Sequence, residues 1–244
     1  MLEVNSWPQG PRKADLRDGE IHVWRARLDG RESFLSKFEA TLSSDEMSRA
    51  ERFHFSRDRN GYIAGRGILR ELLAGYVGRP RAELEFCYGP WGKPFLRQEN
   101  PTRSIQFNVS HSQGWALLAF SLGRNLGVDV EFIRADVVAD EIAGRYFSTQ
   151  EIAELKSLPQ KMRAEGFFRC WTRKEAYIKA RGEGLQIPLD SFHVSLTPGE
   201  PERLDSLDSS RWSLRQVNPD PRYAGALVAE GNDWELRCWD WKSI

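Results

Sequence analysis

Alternation of apolar and polar positions marks IHVWRARL (21–28) as a strand. It follows an irregular lead-in, residues 1–19, where Pro8, Gly10, Pro11 and Gly19 interrupt any periodicity. From Ser43 to Val77 the period becomes helical, with Tyr62, Leu69, Leu73 and Tyr76 on one stripe and Gly78 and Pro80 as the stop; Gly65 and Gly67 weaken this helix. LEFCY (84–88), SIQFNV (104–109), WALLAFS (115–121) and LGVDVEFI (126–133) then read as strands between turn clusters. A second helical block starts at Ser148, whose side chain and that of Glu151 fit a capping box, with Phe147 and Ile152 as the hydrophobic staple. Pro159 ends that helix, and another runs from about Lys161 to Arg181. FHVSL, WSLRQV, YAGALVA and WELRCWDW follow as four strands, with 198–210 as a polar surface loop.

Strand, helices, strands therefore occurs twice. The repetition is one of element order, not of sequence, and it implies an α+β protein of two similar halves, 1–124 and 125–244, joined near Arg124 and Asn125.

Composition narrows the function classes. The 244 residues carry 35 Lys plus Arg against 35 Asp plus Glu, and this balance argues against a dedicated nucleic-acid or membrane-surface binder. No apolar stretch approaches the roughly 20 residues that span a bilayer, and the N-terminus lacks the apolar core of a signal peptide, so a cytoplasmic protein is expected. Cys87, Cys170 and Cys238 are dispersed and read as small hydrophobes, while His22, His54, His111 and His193 form no zinc-type spacing.

Candidate chemistry lies in four places. In the helix 161–181, Ala164, Phe167, Phe168, Trp171 and Ile178 define a buried stripe, and Glu175 falls on it where a leucine would fit. An exposed Glu175–Lys179 pair worth roughly 0.2 to 0.5 kcal/mol accounts poorly for that position, because a carboxylate facing the interior requires a cation, a metal or strong donors. In the strand 126–132, alternation puts Asp129 and Glu131 on one face and Val128, Val130 and Phe132 on the other. That face is either solvated or, with Glu175, a set of hard oxygen ligands for a divalent cation such as Mg²⁺. Lys93 sits in the Gly/Pro-rich turn 88–94, and Ser110 and His111 at a strand end; each is a simple turn feature or a phosphate donor. Residues 48–81 carry eight arginines, which form a solvated helix face or meet a polyanionic ligand or acidic partner.

Taken together, AGRGILR (64–70), YGPWGKPFL (88–96), FNVSHS (107–112), LGVDVE (126–131), RYFSTQE (145–151) and FRCWTRKEAYIKARGEGL (168–185) resemble the 4′-phosphopantetheinyl transferases of the Sfp type. The resemblance spans roughly 45–195, and GVD-x-E followed by W-x-x-K-E-A-x-x-K is its most specific part.

The resemblance implies two similar α/β subdomains in one chain related by pseudo-twofold symmetry, with the active site at their junction. It implies an enzyme that transfers the phosphopantetheine arm of coenzyme A to a serine of an apo acyl carrier protein, or of carrier domains of polyketide or peptide synthases, releasing 3′,5′-ADP. By motif position Asp129, Glu131 and Glu175 would surround Mg²⁺, with Mn²⁺ as a substitute, and Glu175 would also be the base for the carrier serine. Lys179 would stabilise the leaving phosphate. Lys93, Ser110 and His111 would hold the nucleotide phosphates, with Lys174 touching phosphate too and Arg49 and Arg52 helping to bind coenzyme A. Arg145 and the RYFSTQE segment would face the acidic carrier. The K-E-A form resembles a subgroup serving fatty-acid, polyketide and glycolipid synthesis, and a monomer is expected. The alternative is a Mg²⁺-dependent hydrolase of coenzyme A or another pyrophosphate, built on the same carboxylates; the RYFSTQE segment speaks against it. A carrier-binding protein without activity is disfavoured by the intact Asp129, Glu131, Glu175 and Lys179.

Overall fold

The computed structural model describes residues 6–11, 14–30, 32–97, 104–137 and 139–242, so residues 1–5 and 12–13 of the lead-in lie outside the described residues. The first half contains β1 (Glu20–Arg27), α1 (Glu32–Glu39), α2 (Ser44–Ala50), α3 (Ser56–Val77), a small hairpin of β2 (Phe86–Tyr88) and β3 (Pro94–Leu96), β4 (Ile105–Ser112) and β5 (Trp115–Leu122). The second contains β6 (Leu126–Phe132), α4 (Ala139–Tyr146), α5 (Thr149–Ser157), α6 (Gln160–Arg181), the short β7 (His193–Val194) and β8 (Leu204–Asp205), then β9 (Trp212–Gln216), β10 (Tyr223–Glu230) and β11 (Glu235–Asp240). The helical stretch expected over 43–77 is thus two helices. Gly67 is no weakness in α3, because a Cβ there would run into the ring of Phe38, and its absence is what lets α1 pack closely.

Beside the two-stranded β2-β3 and β7-β8 pairs, the two larger sheets are ordered β11-β1-β5-β4 and β6-β10-β9. One face of the first packs on α3 through Phe107, Leu118 and Phe120 against Ile68, Leu69 and Leu73. One face of the second packs on α6 through Leu214, Ala226 and Val228 against Phe168 and Ile178. The other two faces join in a shared core of Ile21, Val23, Leu117 and Ala119 with Val128, Val130 and Leu227. Alternation along β6 therefore sends Val128 and Val130 between the sheets and turns Gly127, Asp129 and Glu131 toward α6.

The last strand departs from the expected division at 124/125. β11 leaves the second half and pairs parallel with β1, Glu20 opposite Glu235 through Arg25 opposite Asp240. Its alternating sequence specifies a strand but not a partner, and the partner is supplied by tertiary packing. The lead-in follows it, with Gly10 N donating to Asp240 O at 3.1 Å and Asp240 N to Pro8 O at 2.7 Å.

The two halves also share a device that element order alone did not reveal. Buried Glu46 accepts from Ser43 N at 2.9 Å and holds Arg70 of α3 at 2.7 Å. Buried Glu151 accepts from Ser148 N at 2.8 Å and holds Lys174 of α6 at 2.8 Å. In both, the cation's remaining donors go to carbonyls of the chain after its helix: Arg70 to Arg81 O and Leu84 O, Lys174 to Leu189 O and Phe192 O. A Ser-x-x-Glu turn thus fastens a short helix to a long one twice, and the repetition does leave a trace in sequence.

Candidate active site

α6 lies directly on β6 at Gly127, where an added Cβ would strike the Ala176 carbonyl oxygen and the Ala180 amide nitrogen. Backbone therefore meets backbone, and the next residues facing α6 on the strand, Asp129 and Glu131, come under Glu175 and Lys179. The solvated-face reading of β6 fails: Asp129 is 3% exposed. Its Oδ1 accepts from Lys179 Nζ at 2.6 Å and from Ser110 Oγ at 2.7 Å, while Oδ2 is buried with no hydrogen-bond partner among the described residues. Glu131 Oε2 accepts from Ser112 Oγ at 2.7 Å. No hydrogen bond to the Glu175 carboxylate occurs among the described residues.

Burial and neighbouring negative charge raise the proton affinity of the two glutamates in this space. Burial, then the charge of Asp129, then that of Glu131 push Glu175 above the usual carboxylate range, against the opposing pull of Lys179. Burial and Asp129 do the same to Glu131, against its hydroxyl bond. A divalent cation is the charge that would relieve this repulsion, and the donors are hard oxygens suited to Mg²⁺. As the side chains stand, no three His, Cys, Asp or Glu residues gather tightly enough to hold a metal ion among the described residues. Lys179 occupies Asp129 Oδ1, and the orphaned Oδ2 is the atom left with unmet acceptor capacity.

Two clefts open in succession along β4. One, of about 380 Å³, is lined by Trp91, Pro94, Asn108, Glu175 and Lys179. The other, of about 370 Å³, is lined by Arg57, Asn60, Tyr62, His111 and Gln113. Ser110 and His111, taken together from sequence, point to opposite faces of β4: Ser110 toward β6, His111 toward the N-terminal turns of α3. Loss of solvent around the ring and then the Lys179 ammonium keep the His111 imidazole below its ordinary value.

The sequence matches the profile described as the 4′-phosphopantetheinyl transferase superfamily over residues 125–228 and that of the 4′-phosphopantetheinyl transferase N-terminal region over 29–122. It is 40% identical to the 4′-phosphopantetheinyl transferase HetI of Nostoc sp., across 96% of this chain and 98% of that protein. The chain belongs to the 4′-phosphopantetheinyl transferase superfamily. It is an enzyme of the transferase class. With the 4′-phosphopantetheinyl transferase Sfp of Bacillus subtilis it shares 28% identity over 81% of this chain and 86% of Sfp. A solved holo-(acyl-carrier-protein) synthase of Bacillus anthracis, in complex with CoA (3′,5′-ADP), overlaps 44% of this chain and 96% of its own at a TM-score of 0.39 and 21% identity.

Within the transferase, two lysines carried over by motif position are placed elsewhere than expected. Lys174 is fully buried, and its three donors go to Glu151, Leu189 O and Phe192 O, so it has none left for phosphate. Helical geometry explains this: adjacent residues diverge by about 100°, so Lys174 points into the second core while Glu175 points at β6. Lys93 Nζ donates to Leu126 O at 2.9 Å, Lys179 O at 2.7 Å and Ala180 O at 3.3 Å, tying the β2–β3 turn to β6 and to the end of α6. Burial lowers its ammonium to about 8. Arg49 lies over the Tyr62 ring at 5.9 Å and Arg52 is exposed; neither bonds to the carboxylate cluster among the described residues. Half of the eight arginines in that stretch are used in internal ion pairs, Arg66 and Arg70 on Glu46, Arg59 on Glu39 and Arg81 on Glu71. The buried stripe of α6 is wider than its apolar pattern, because Arg169, Arg173 and Lys174 are buried as well. Sequence reasoning missed Asn108 and Ser112, whose signal was polar residues at every second position of β4.

Proposed function

We propose that this enzyme transfers the 4′-phosphopantetheine arm of coenzyme A to a serine of an apo acyl or peptidyl carrier protein and releases 3′,5′-ADP. The observation that carries this reading is the meeting of Asp129 and Glu131 on β6 with Glu175 and Lys179 on α6, between two clefts that follow one another along β4. A long substrate with a pyrophosphate at its middle fits that order, with the nucleotide toward His111, Arg49 and Arg52 and the pantetheine arm along Trp91 and Pro94. Asp129, Glu131 and Glu175 are the side chains that would hold Mg²⁺, which when bound would neutralise charge on the pyrophosphate oxygens.

The chain's own groups do the rest. The Glu175 carboxylate, raised in proton affinity and free of hydrogen bonds among the described residues, takes the proton of the carrier serine. The serine oxygen bonds to the phosphorus that bears the pantetheine arm, and the bond from that phosphorus to the oxygen of 3′,5′-ADP breaks. Lys179, already 2.6 Å from Asp129, supplies the cation nearest the leaving oxygens. Transfer of a phosphoryl group depends chiefly on such positioning and charge neutralisation. A positioned base contributes typically about 10² to 10⁴ in rate, so Glu175→Gln is expected to lose at least that much transfer while unfolding at or above the wild-type urea concentration, because it removes a carboxylate that burial and its neighbours disfavour. Near wild-type turnover in that variant would remove Glu175 from the mechanism.

The carrier is expected to dock an acidic surface near Arg145 and the start of α5. Hydrolysis of coenzyme A by water is the second reading, since the same carboxylates would serve it.

A further inference from the structure

β4 and β6 are the facing edges of the two sheets, and no backbone ladder joins them. Side chains do so instead. Asn108 Oδ1 accepts from Val128 N at 2.9 Å, Ser110 Oγ from Val130 N at 3.4 Å, and Ser112 Oγ from Phe132 N at 3.2 Å. The offset is constant at 20 residues, so the strands run parallel, and alternate side chains of β4 stand where the carbonyls of a neighbouring strand would be. Each serine also turns its hydroxyl proton to the carboxylate one residue earlier, Ser110 to Asp129 and Ser112 to Glu131, both at 2.7 Å. At the first rung that preceding residue is Gly127, and there is no carboxylate to hold.

We infer that Ser112 is a positioning residue for Glu131: its hydroxyl, anchored by the Phe132 amide, fixes the carboxylate in the orientation from which it serves the divalent cation. The inference rests on the proposed metal site. A hydroxyl that accepts from a fixed backbone N–H has its own proton directed, and the carboxylate that takes it loses rotational freedom. Among the described residues Glu131 accepts a hydrogen bond from Ser112 and from no cation, since Lys179 is spent on Asp129. Its orientation therefore depends on Ser112 to a degree that Asp129, held by both Ser110 and Lys179, does not share with any single partner.

The test is direct titration of Mn²⁺ into the protein with coenzyme A present, read by the electron paramagnetic resonance signal of free Mn²⁺ against a protein-free blank. Loss of a group that orients a metal ligand typically weakens binding about 10- to 100-fold. Ser112→Ala is expected to weaken Mn²⁺ at the lower end of that range, roughly 10-fold, and Ser112→Thr, which keeps the hydroxyl, to restore it. Ser121→Ala removes a buried hydroxyl that bonds the Arg124 carbonyl at 2.7 Å, away from the carboxylates and both clefts, and it should lower the urea midpoint while leaving Mn²⁺ affinity unchanged. Wild-type affinity in Ser112→Ala, or an equal loss in Ser121→Ala, would overturn the positioning role while leaving the metal site standing. A wild-type protein that binds no Mn²⁺ would overturn both.

Discussion

Replacing Lys174 with methionine separates a structural lysine from a phosphate-binding one. The side chain is fully buried, 2.8 Å from Glu151 and within 2.6 and 2.7 Å of the Leu189 and Phe192 carbonyls. At an effective dielectric of about 20, two charges at that separation attract by roughly 6 kcal/mol, and most of this is offset by the cost of removing both from water. Methionine fills similar volume but takes the lysine charge from the Glu151 carboxylate, which keeps the Ser148 and Val194 amides, the Cys170 thiol and, at 3.8 Å, the His193 imidazole beside it. Breaking one side of a buried pair costs about 3 to 5 kcal/mol, a large part of the roughly 5 to 15 kcal/mol that holds a domain folded. For a chain of this size that lowers Tm by roughly 6 to 20 °C. Urea unfolding gives the stability, and transfer assayed well below the new Tm gives the activity of the folded fraction, expected to stay near wild type in KM for coenzyme A. An unchanged midpoint with a raised KM would refute the reasoning and return Lys174 to the substrate phosphates.

Gly127→Ala would push the Ala176 carbonyl and the Ala180 amide off β6; overpacking costs typically about 1 to 3 kcal/mol, and kcat/KM should fall far more than stability, because Glu175 and Lys179 move relative to Asp129. Equal kcat/KM in this variant would contradict the close seating of the helix. Lys93 has a folded-state value of about 8, below its ordinary 10.5, so the unfolded chain holds the extra proton between those limits. Wild-type stability relative to Lys93→Met should therefore rise across pH 8 to 10 by up to about 1.4 kcal/mol per unit; parallel urea-unfolding curves for the two proteins would contradict the buried ammonium.

Asp129, Glu131 and Glu175 were legible because each breaks a periodic rule: two carboxylates on one face of an otherwise apolar strand, and one on the apolar stripe of a helix. The capping box at Ser148 and Glu151 was legible because it is local, needing only residues three apart. Its second duty, burying Lys174, was not, because the partner lies 23 positions on and the same pattern serves a solvated cap equally well. The wide burial of α6 was hidden for a related reason: a long basic side chain off the apolar stripe is recognisable as buried only once the carbonyls that receive it are placed, as for Arg173 and Lys174. β11 was recognisable as a strand but not as a neighbour of β1, since alternation records faces and not partners. The hydroxyls of Ser110 and Ser112 showed as a polar alternation whose meaning depends on β6 lying alongside, a relation set by the shared core of Val128, Val130, Leu117 and Ala119.

The central claim is that the Asp129, Glu131, Glu175 and Lys179 constellation serves transfer to a carrier. Intact-mass spectrometry of an apo acyl carrier protein, incubated with the enzyme, coenzyme A and Mg²⁺, tests it most directly. The carrier should gain one phosphopantetheine, and the gain should vanish with chelator and with Glu175→Gln. An unmodified carrier accompanied by carrier-independent release of 3′,5′-ADP would contradict the transfer and leave hydrolysis as the reaction of these carboxylates.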